Sequence, residues 1–193
     1  MLKAPKFWYQ SNFSILAIFL LPLSLIWITG TYLKKKFAKP IRSKIPVIAI
    51  GSAIIGGSGK TPSVIYVCEI LEKIGYKPHV ISRGYGGSAN EVIKVSPEMS
   101  YSVVGDEAIM MSKYYPTWVS KNKYNAFAMA EKDGANILVL DDALQSYNIF
   151  KNLNIYVYDS IQSFGNKLIV PSGPLRESIS SVLNRSQIVF LVN

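Results

Sequence analysis

Residues 46–61 of the chain read Pro46-Val47-Ile48-Ala49-Ile50-Gly51-Ser52-Ala53-Ile54-Ile55-Gly56-Gly57-Ser58-Gly59-Lys60-Thr61. The first six residues form a short apolar run that ends in glycine, which is typical of a buried strand in a parallel sheet. Apolar residues then recur at helical spacing from Val64 to Ile74, and Gly75 ends this pattern. The order of strand, glycine-rich loop, Lys-Thr pair and helix predicts a phosphate-binding loop, or P-loop.

The glycines of such a loop allow backbone N–H groups to close around phosphate oxygens. We expect Lys60 to reach the β- and γ-phosphates of ATP and the Thr61 hydroxyl to ligate Mg²⁺. The predicted nucleotide-binding residues are Gly56, Gly57, Ser58, Gly59, Lys60 and Thr61. The strict P-loop pattern has an earlier glycine where this chain has Ile54. The alternative interpretation is therefore a glycine-rich turn without a ligand.

A P-loop also needs a second acidic group for Mg²⁺ at the end of a neighbouring strand. Residues 136–142 fit this requirement, because an apolar run is followed by Asp141 and Asp142. One aspartate would hold the metal or its water, and the other could help to place it. The alternative is a strand end at which an aspartate caps a turn.

Predicted strands and helices alternate after residue 45, which favours an α/β fold. We expect a P-loop NTPase-like, mostly parallel sheet flanked by helices. Ligands of such sheets bind beyond the carboxyl ends of the strands, where the P-loop, Asp106 and Asp141 fall. The predicted strands cover residues 46–51, 79–82, 92–95, 117–119, 136–140, 154–158 and 187–192. Two further helices are predicted near residues 105–113 and 125–133.

The composition excludes several classes of protein. The chain has 193 residues, of which 49% are hydrophobic and 17% charged, so it is not largely disordered. It contains one cysteine, Cys68, and one histidine, His79. These counts exclude an internal disulfide, a cysteine-based zinc site and a multi-histidine metal site.

The net charge of +9 is concentrated at the N-terminus. Residues 1–44 contain eight basic residues and no acidic residue, whereas residues 45–193 contain thirteen basic and twelve acidic residues. The larger part therefore gives no sign of a nucleic-acid surface. Residues 7–33 carry no charge and are long enough to span a bilayer, although Pro22 is expected to kink the helix.

Three interpretations of this apolar segment compete. A cleaved signal peptide would need a small-x-small site, and none is clear. The others are a transmembrane span and an in-plane or shallowly inserted hairpin. In both, the cluster Lys34-Lys35-Lys36 can reach anionic lipid. We therefore predict a membrane-associating segment at residues 1–44 and a P-loop domain at residues 45–193.

Several short blocks, in order, resemble the tetraacyldisaccharide 4′-kinase family of lipid A biosynthesis. Two of them, SRGYGG and PSGPLRE, are absent from generic P-loop proteins. The blocks are 4–9 (APKFWY), 56–62 (GGSGKTP), 82–87 (SRGYGG), 104–107 (VGDE), 140–142 (LDD), 144–145 (LQ), 164–166 (FGN) and 171–177 (PSGPLRE).

The resemblance implies a kinase at the cytoplasmic face of the bacterial inner membrane. It would transfer the γ-phosphate of ATP to the 4′-hydroxyl of a tetraacylated disaccharide 1-phosphate, with no inferable protein partner. The implied catalytic residues are Asp106, which would activate that hydroxyl, and Lys60, which would contact the phosphates. The alternative for Asp106 is a helix N-cap. The implied metal-side residues are Thr61, Asp141, Asp142 and Glu107. The implied lipid-substrate residues are Arg83, Tyr85 and Arg176, and the alternative for the arginines is a surface ion pair.

The chain also departs from the family pattern. Isoleucine replaces threonine at Ile54, alanine replaces glycine at Ala143, and lysine replaces arginine at Lys123. The family is normally longer, so we expect its C-terminal lobe to be absent, together with a histidine that partners the catalytic aspartate. His79 is expected to be a surface or structural residue. The nucleotide site would then survive while catalysis is weak.

Two other functions remain open from the sequence. A membrane-bound P-loop ATPase switch would carry lysine where this chain has Ile55. A remnant would bind nucleotide, or nothing, and transfer no phosphate.

Overall fold

The computed structural model describes residues 4–10, 14–56, 59–161 and 163–192. In these ranges the strands are β1 (Val47–Gly51), β2 (Pro78–Ser82), β3 (Ile93–Val95), β4 (Thr117–Val119), β5 (Ile137–Leu140), β6 (Leu153–Asp159) and β7 (Ile188–Val192). They form one seven-stranded sheet in the order β3-β4-β2-β5-β1-β6-β7. All neighbouring strands are parallel except β3 and β4, which are antiparallel.

The helices flank this sheet and precede it. The α-helices are α1 (Ile15–Lys36), α2 (Lys60–Lys73), α3 (Tyr101–Val104), α4 (Asp106–Ser112), α5 (Phe127–Lys132) and α6 (Ile179–Leu183). Two short 3₁₀-helices cover Lys6–Trp8 and Lys123–Ala126. The predicted α/β class and the predicted strands are confirmed, whereas α3, α6 and both 3₁₀-helices were not predicted.

The central strands are apolar on both faces because helices cover both faces. Every residue of β1, β2 and β5 is buried. On one face, Val64, Val67 and Leu71 of α2 pack against the sheet. On the other face, Phe127 and Ala130 of α5 do so. This two-sided burial is the usual reason why parallel strands have continuous apolar sequences.

The register of the sheet brings the functional segments to one edge. Ala49 of β1 pairs with Leu140 of β5, and Ile81 of β2 pairs with the same residue from the other side. The residues that follow these three strands therefore meet at their carboxyl ends, as such topologies require.

The N-terminal helix α1 is the one helix of the described residues that is long and apolar enough to cross a membrane, by length and composition. It continues through Pro22, and only Ala17 and Ser24 among its residues are buried. Its large apolar side chains are mostly exposed, for example Phe19 at 77%. An exposed apolar surface of this size indicates contact with lipid or another apolar partner.

The single histidine and the single cysteine both lie in the core. Trp118 Nε1 donates to His79 Nδ1 at 3.2 Å, and burial lowers the pKa of His79. His79 is thus a buried structural residue, which is one of the two roles predicted for it. Cys68 lies on α2 with no exposed surface, and burial raises its pKa to about 12.

Candidate functional site

The P-loop connects β1 to α2 and supplies the nucleotide end of the candidate site. Gly59 has a φ of 67° and caps α2. A Cβ there would lie 2.8 Å from Cγ1 of Val192, so both the backbone and the space require glycine. The N-terminus of α2 is the positive end of the helix dipole, which attracts phosphate.

Lys60 and Thr61 are the first two residues of α2, as predicted. Lys60 Nζ donates to the carbonyl of Gly56 at 3.0 Å, so its ammonium group reaches back across the loop. Lys60 and Thr61 are both buried. The predicted residues Gly57 and Ser58 lie outside the described residues.

Asp141 follows β5 and lies in the floor of the site. Ser82 Oγ donates to Asp141 Oδ2 at 3.0 Å, whereas Asp141 Oδ1 is buried and has no hydrogen-bond partner among the described residues. Burial raises the pKa of Asp141, and Lys123 opposes this effect. An unpartnered buried carboxylate oxygen is costly, so this atom is suited to ligate a cation or its water.

Asp142 faces Arg176. The guanidinium Nη1 of Arg176 donates to both carboxylate oxygens of Asp142, at 3.0 and 2.9 Å. Burial raises the pKa of Asp142, but Arg176, Lys60 and Lys123 together lower it below its usual range. Asp142 also has a φ of 45°, which aspartate tolerates better than most residues. The positive φ therefore occurs at Asp142 and not at Ala143, the position where the family has glycine.

Lys123 is a site residue that the sequence analysis did not assign to the site. Its Nζ donates to the carbonyl oxygens of Asp141 and, at 3.1 Å, of Asp142. Burial lowers the pKa of Lys123, whereas the two aspartates raise it. The sequence feature that could have indicated this role is the lysine that stands after β4 at the position of the family arginine.

Asp106 and Glu107 form the first turn of α4, and Glu107 interacts electrostatically with Asp141 and Lys60. The preceding Gly105 has a φ of 85°, and a Cβ there would lie 2.5 Å from the carbonyl oxygen of Tyr85. The glycine-rich loop 84–87 therefore fixes where α4 begins. Asp106 is exposed, and its Oδ1 accepts the N–H of Glu107 at 3.0 Å.

The electrostatics show which predicted residues lie close together. Burial raises the pKa of Glu107, the charges of Asp141 and Asp106 add to this, and Lys60 opposes it. Arg83 lowers the pKa of Lys123, so it also borders the cluster. Tyr85 is 75% exposed.

A second group of polar residues supports the start of the P-loop and was not predicted. Gln145 Nε2 donates to the carbonyl of Ser52 at 3.1 Å and to Glu177 Oε1 at 2.9 Å. Glu177 also forms a bidentate ion pair with Arg185, which follows α6. Burial alone would raise the pKa of Glu177, but hydrogen bonds and the charge of Arg185 lower it.

The donor set fits a magnesium–nucleotide complex better than a metal held by protein alone. The described residues contain no group of three or more His, Cys, Asp or Glu residues that could hold a metal ion. Mg²⁺ characteristically keeps several waters and binds through one or two carboxylates plus phosphate oxygens. Asp141 Oδ1 and the Thr61 hydroxyl beside the P-loop supply such a partial set.

Comparisons with known proteins show which family the chain resembles. The family model for tetraacyldisaccharide-1-P 4'-kinase matches residues 16–193. The tetraacyldisaccharide 4'-kinase of Rhodospirillum centenum is 35% identical over 195 residues, which cover 99% of this chain and 58% of the relative. That of Psychromonas ingrahamii is 38% identical over 196 residues, which cover 97% of this chain and 60% of the relative.

A solved structure is similar as well. It is the crystal structure of the "apo" form of LpxK from Aquifex aeolicus in complex with ATP. The TM-score is 0.81 at 26% identity, and the match covers 92% of this chain and 59% of that chain. The chain thus spans about 58% of the length of the curated relatives that it matches.

Proposed function

Because this chain belongs to the tetraacyldisaccharide-1-phosphate 4′-kinase family, we propose that its site binds Mg-ATP and transfers the γ-phosphate to the 4′-hydroxyl of a tetraacyldisaccharide 1-phosphate. The observation that carries the proposal is that Lys60, at the start of α2 after the P-loop, interacts electrostatically with Glu107, Asp141 and Asp142. The ATP bound in the similar solved structure supports the choice of nucleotide.

The P-loop would hold the phosphates through its backbone N–H groups and Lys60. The Thr61 hydroxyl, Asp141 and Asp142 would hold Mg²⁺ or its waters, with Glu107 beside them. When bound, Mg²⁺ would neutralise negative charge that develops on the phosphates during transfer. The ion pair with Arg176 keeps Asp142 ionised for that task at neutral pH.

Asp106 would accept the proton of the sugar hydroxyl. Its carboxylate is exposed, so a lipid-borne acceptor could reach it. It lies in the first turn of α4, beside Glu107, whose charge is disfavoured by burial. A positioned carboxylate is a suitable general base for phosphoryl transfer to a hydroxyl. Arg83, Tyr85 and Arg176 would contact the lipid disaccharide.

We also propose that α1 attaches the chain to the cytoplasmic face of the inner membrane and lies along its surface. Trp27, near the middle of α1, donates to the carbonyl of Arg176 in the kinase domain. A helix that spanned the bilayer would carry this part of the domain into the hydrocarbon region. The exposed apolar side chains of α1 and the basic residues at its end suit contact with an anionic membrane surface.

The test is transfer of labelled phosphate from ATP to tetraacyldisaccharide 1-phosphate, using membranes that contain the full chain. We compare the wild type with Asp106→Asn and with the control Asp133→Asn, because Asp133 pairs with Lys94 away from the site. We expect labelled lipid from the wild type and the control, and a loss of at least about a hundredfold in Asp106→Asn.

Two outcomes would overturn the proposal. Release of phosphate to water with nucleotide-dependent dimerisation, and no labelled lipid, would identify an ATPase switch. Protection of the Lys60 region from protease by Mg-ATP, without labelled lipid or released phosphate, would identify a protein that only binds nucleotide.

A further inference from the structure

The apolar helix α1 contacts the kinase domain through a small number of polar atoms. Ser24 Oγ donates to the carbonyl of Ile169 at 2.8 Å and lies 2.9 Å from Ser172 Oγ. It also accepts the N–H of Ser172 at 3.3 Å. Trp27 Nε1 donates to the carbonyl of Arg176 at 3.0 Å. These bonds all reach one segment of the domain, residues 169–176.

The same segment pairs with the start of the P-loop. The N–H of Ile55 donates to the carbonyl of Pro174 at 2.9 Å, and the N–H of Arg176 donates to the carbonyl of Ala53 at 2.7 Å. Ile54 and Leu175 form an antiparallel bridge between these two bonds. Residues 174–176 are therefore held between α1 on one side and the P-loop on the other.

Arg176 is the residue at which these contacts meet. Its N–H is bonded to Ala53, its carbonyl accepts from Trp27, and its guanidinium holds both oxygens of Asp142. A shift of its backbone would thus move the start of the P-loop and release Asp142. The Trp27 side chain is still 46% exposed, so one part of it remains open to the lipid side of α1.

We infer that Trp27 is a positioning residue, which couples the seating of the membrane helix to the placement of Arg176, Asp142 and the P-loop. The helix would then be part of the nucleotide site as well as an anchor. The consequence for phosphate transfer rests on the proposed function, whereas the coupling itself concerns only contacts within this chain.

The first measurement is hydrogen exchange at the amides of Ile55 and Arg176, in the full chain on vesicles of phosphatidylethanolamine and phosphatidylglycerol. Trp27→Phe keeps an aromatic ring and removes the N–H donor. The matched control is Trp8→Phe, because Trp8 Nε1 donates at 3.0 Å to Pro171 in the same loop but outside the part that pairs with the P-loop.

We expect Trp27→Phe to raise exchange at both amides and to weaken Mg-ATP binding by about threefold to tenfold, the usual effect of one lost hydrogen bond. The free energy of unfolding in urea should change little. If the chain transfers phosphate, the KM for ATP should rise by a similar factor. Trp8→Phe should leave exchange at Ile55 and Arg176, and ATP affinity, unchanged.

Equal exchange in Trp27→Phe and wild type would overturn the coupling. Equal effects of Trp27→Phe and Trp8→Phe would also overturn it, because the loop as a whole would then be responsible. An absence of phosphate transfer by the wild type would count against the proposed function, and the exchange and binding measurements would still decide the coupling.

Discussion

At the scale of single residues, Gly59 is required by both its backbone and its surroundings. We predict that Gly59→Ala costs about 2 kcal/mol of stability, because it adds strain at positive φ and a contact with Val192. Gly75→Ala is the matched control, since Gly75 also has positive φ but has nothing near its missing Cβ. For Gly75→Ala, urea unfolding should show a smaller loss of stability, about 1 kcal/mol.

The contact with Val192 can be separated from the strain. Gly59→Ala combined with Val192→Ala should recover part of the loss relative to the two single variants added together. Simple additivity of the two single effects would contradict the assignment of the extra cost to Val192.

Lys123 is the second residue whose role can be tested alone. Lys123→Met keeps most of the buried stem but removes the ammonium that caps the carbonyls of Asp141 and Asp142. We expect a loss of about 3 kcal/mol in urea unfolding and weaker binding of Mg-ATP, because buried acceptors lose their partner. Lys123→Arg keeps the charge and restores the family residue, so it should retain nucleotide binding. Wild-type stability in Lys123→Met would contradict this role.

At the scale of elements, the short helix α6 depends on the ion pair between Glu177 and Arg185. The pKa of Glu177 is lowered in the folded state, so its ionised form stabilises the fold above the pKa of the unfolded state. We predict that Glu177→Gln loses about 2 kcal/mol at pH 7, because the partly buried Arg185 is left without its carboxylate partner.

The pH dependence provides the check on that prediction. The difference in stability between wild type and Glu177→Gln should be constant at neutral pH. It should shrink below about pH 4, as Glu177 becomes protonated through its lowered pKa. Thermal unfolding at several pH values measures it. A difference that did not change with pH would point to packing rather than charge.

At the scale of the whole molecule, the apolar side of α1 should determine membrane attachment. Phe19 is 77% exposed on α1, and we expect Phe19→Asp to lower binding to anionic vesicles by at least about tenfold. Ile161→Asp is the control, because Ile161 is 81% exposed in the loop after β6. Co-sedimentation with vesicles measures both. Equal binding of Phe19→Asp and wild type would exclude α1 as the lipid-contacting surface.

The sequence predicted best those parts of the fold whose residues are contiguous in the chain. The apolar runs that become β1 and β5 also carry the P-loop and the two aspartates at their ends, so one short window shows both strand and site. The helices α3 and α6 have only four and five residues, which is too short for a periodic pattern.

The supporting contacts of the site could not be predicted because they join distant residues. Lys123 reaches the carbonyl of Asp141 across 18 positions, and Gln145 reaches Ser52 across 93. Ser24 lies within an apolar run and looks neutral in sequence, although it bonds to a segment 148 positions away. Such pairings depend on how the sheet and α1 are stacked, which no local pattern encodes.

The buried thiol of Cys68 can report how often the fold opens locally. It is the only cysteine of the chain, it has no exposed surface, and its pKa is raised to about 12. A thiol reagent at neutral pH can therefore react only when α2 separates from the sheet. The rate at which Cys68 is labelled then measures how often α2, the helix that begins at the P-loop, separates from the sheet. Mg-ATP should slow this rate, so one side chain reports nucleotide binding without any added probe.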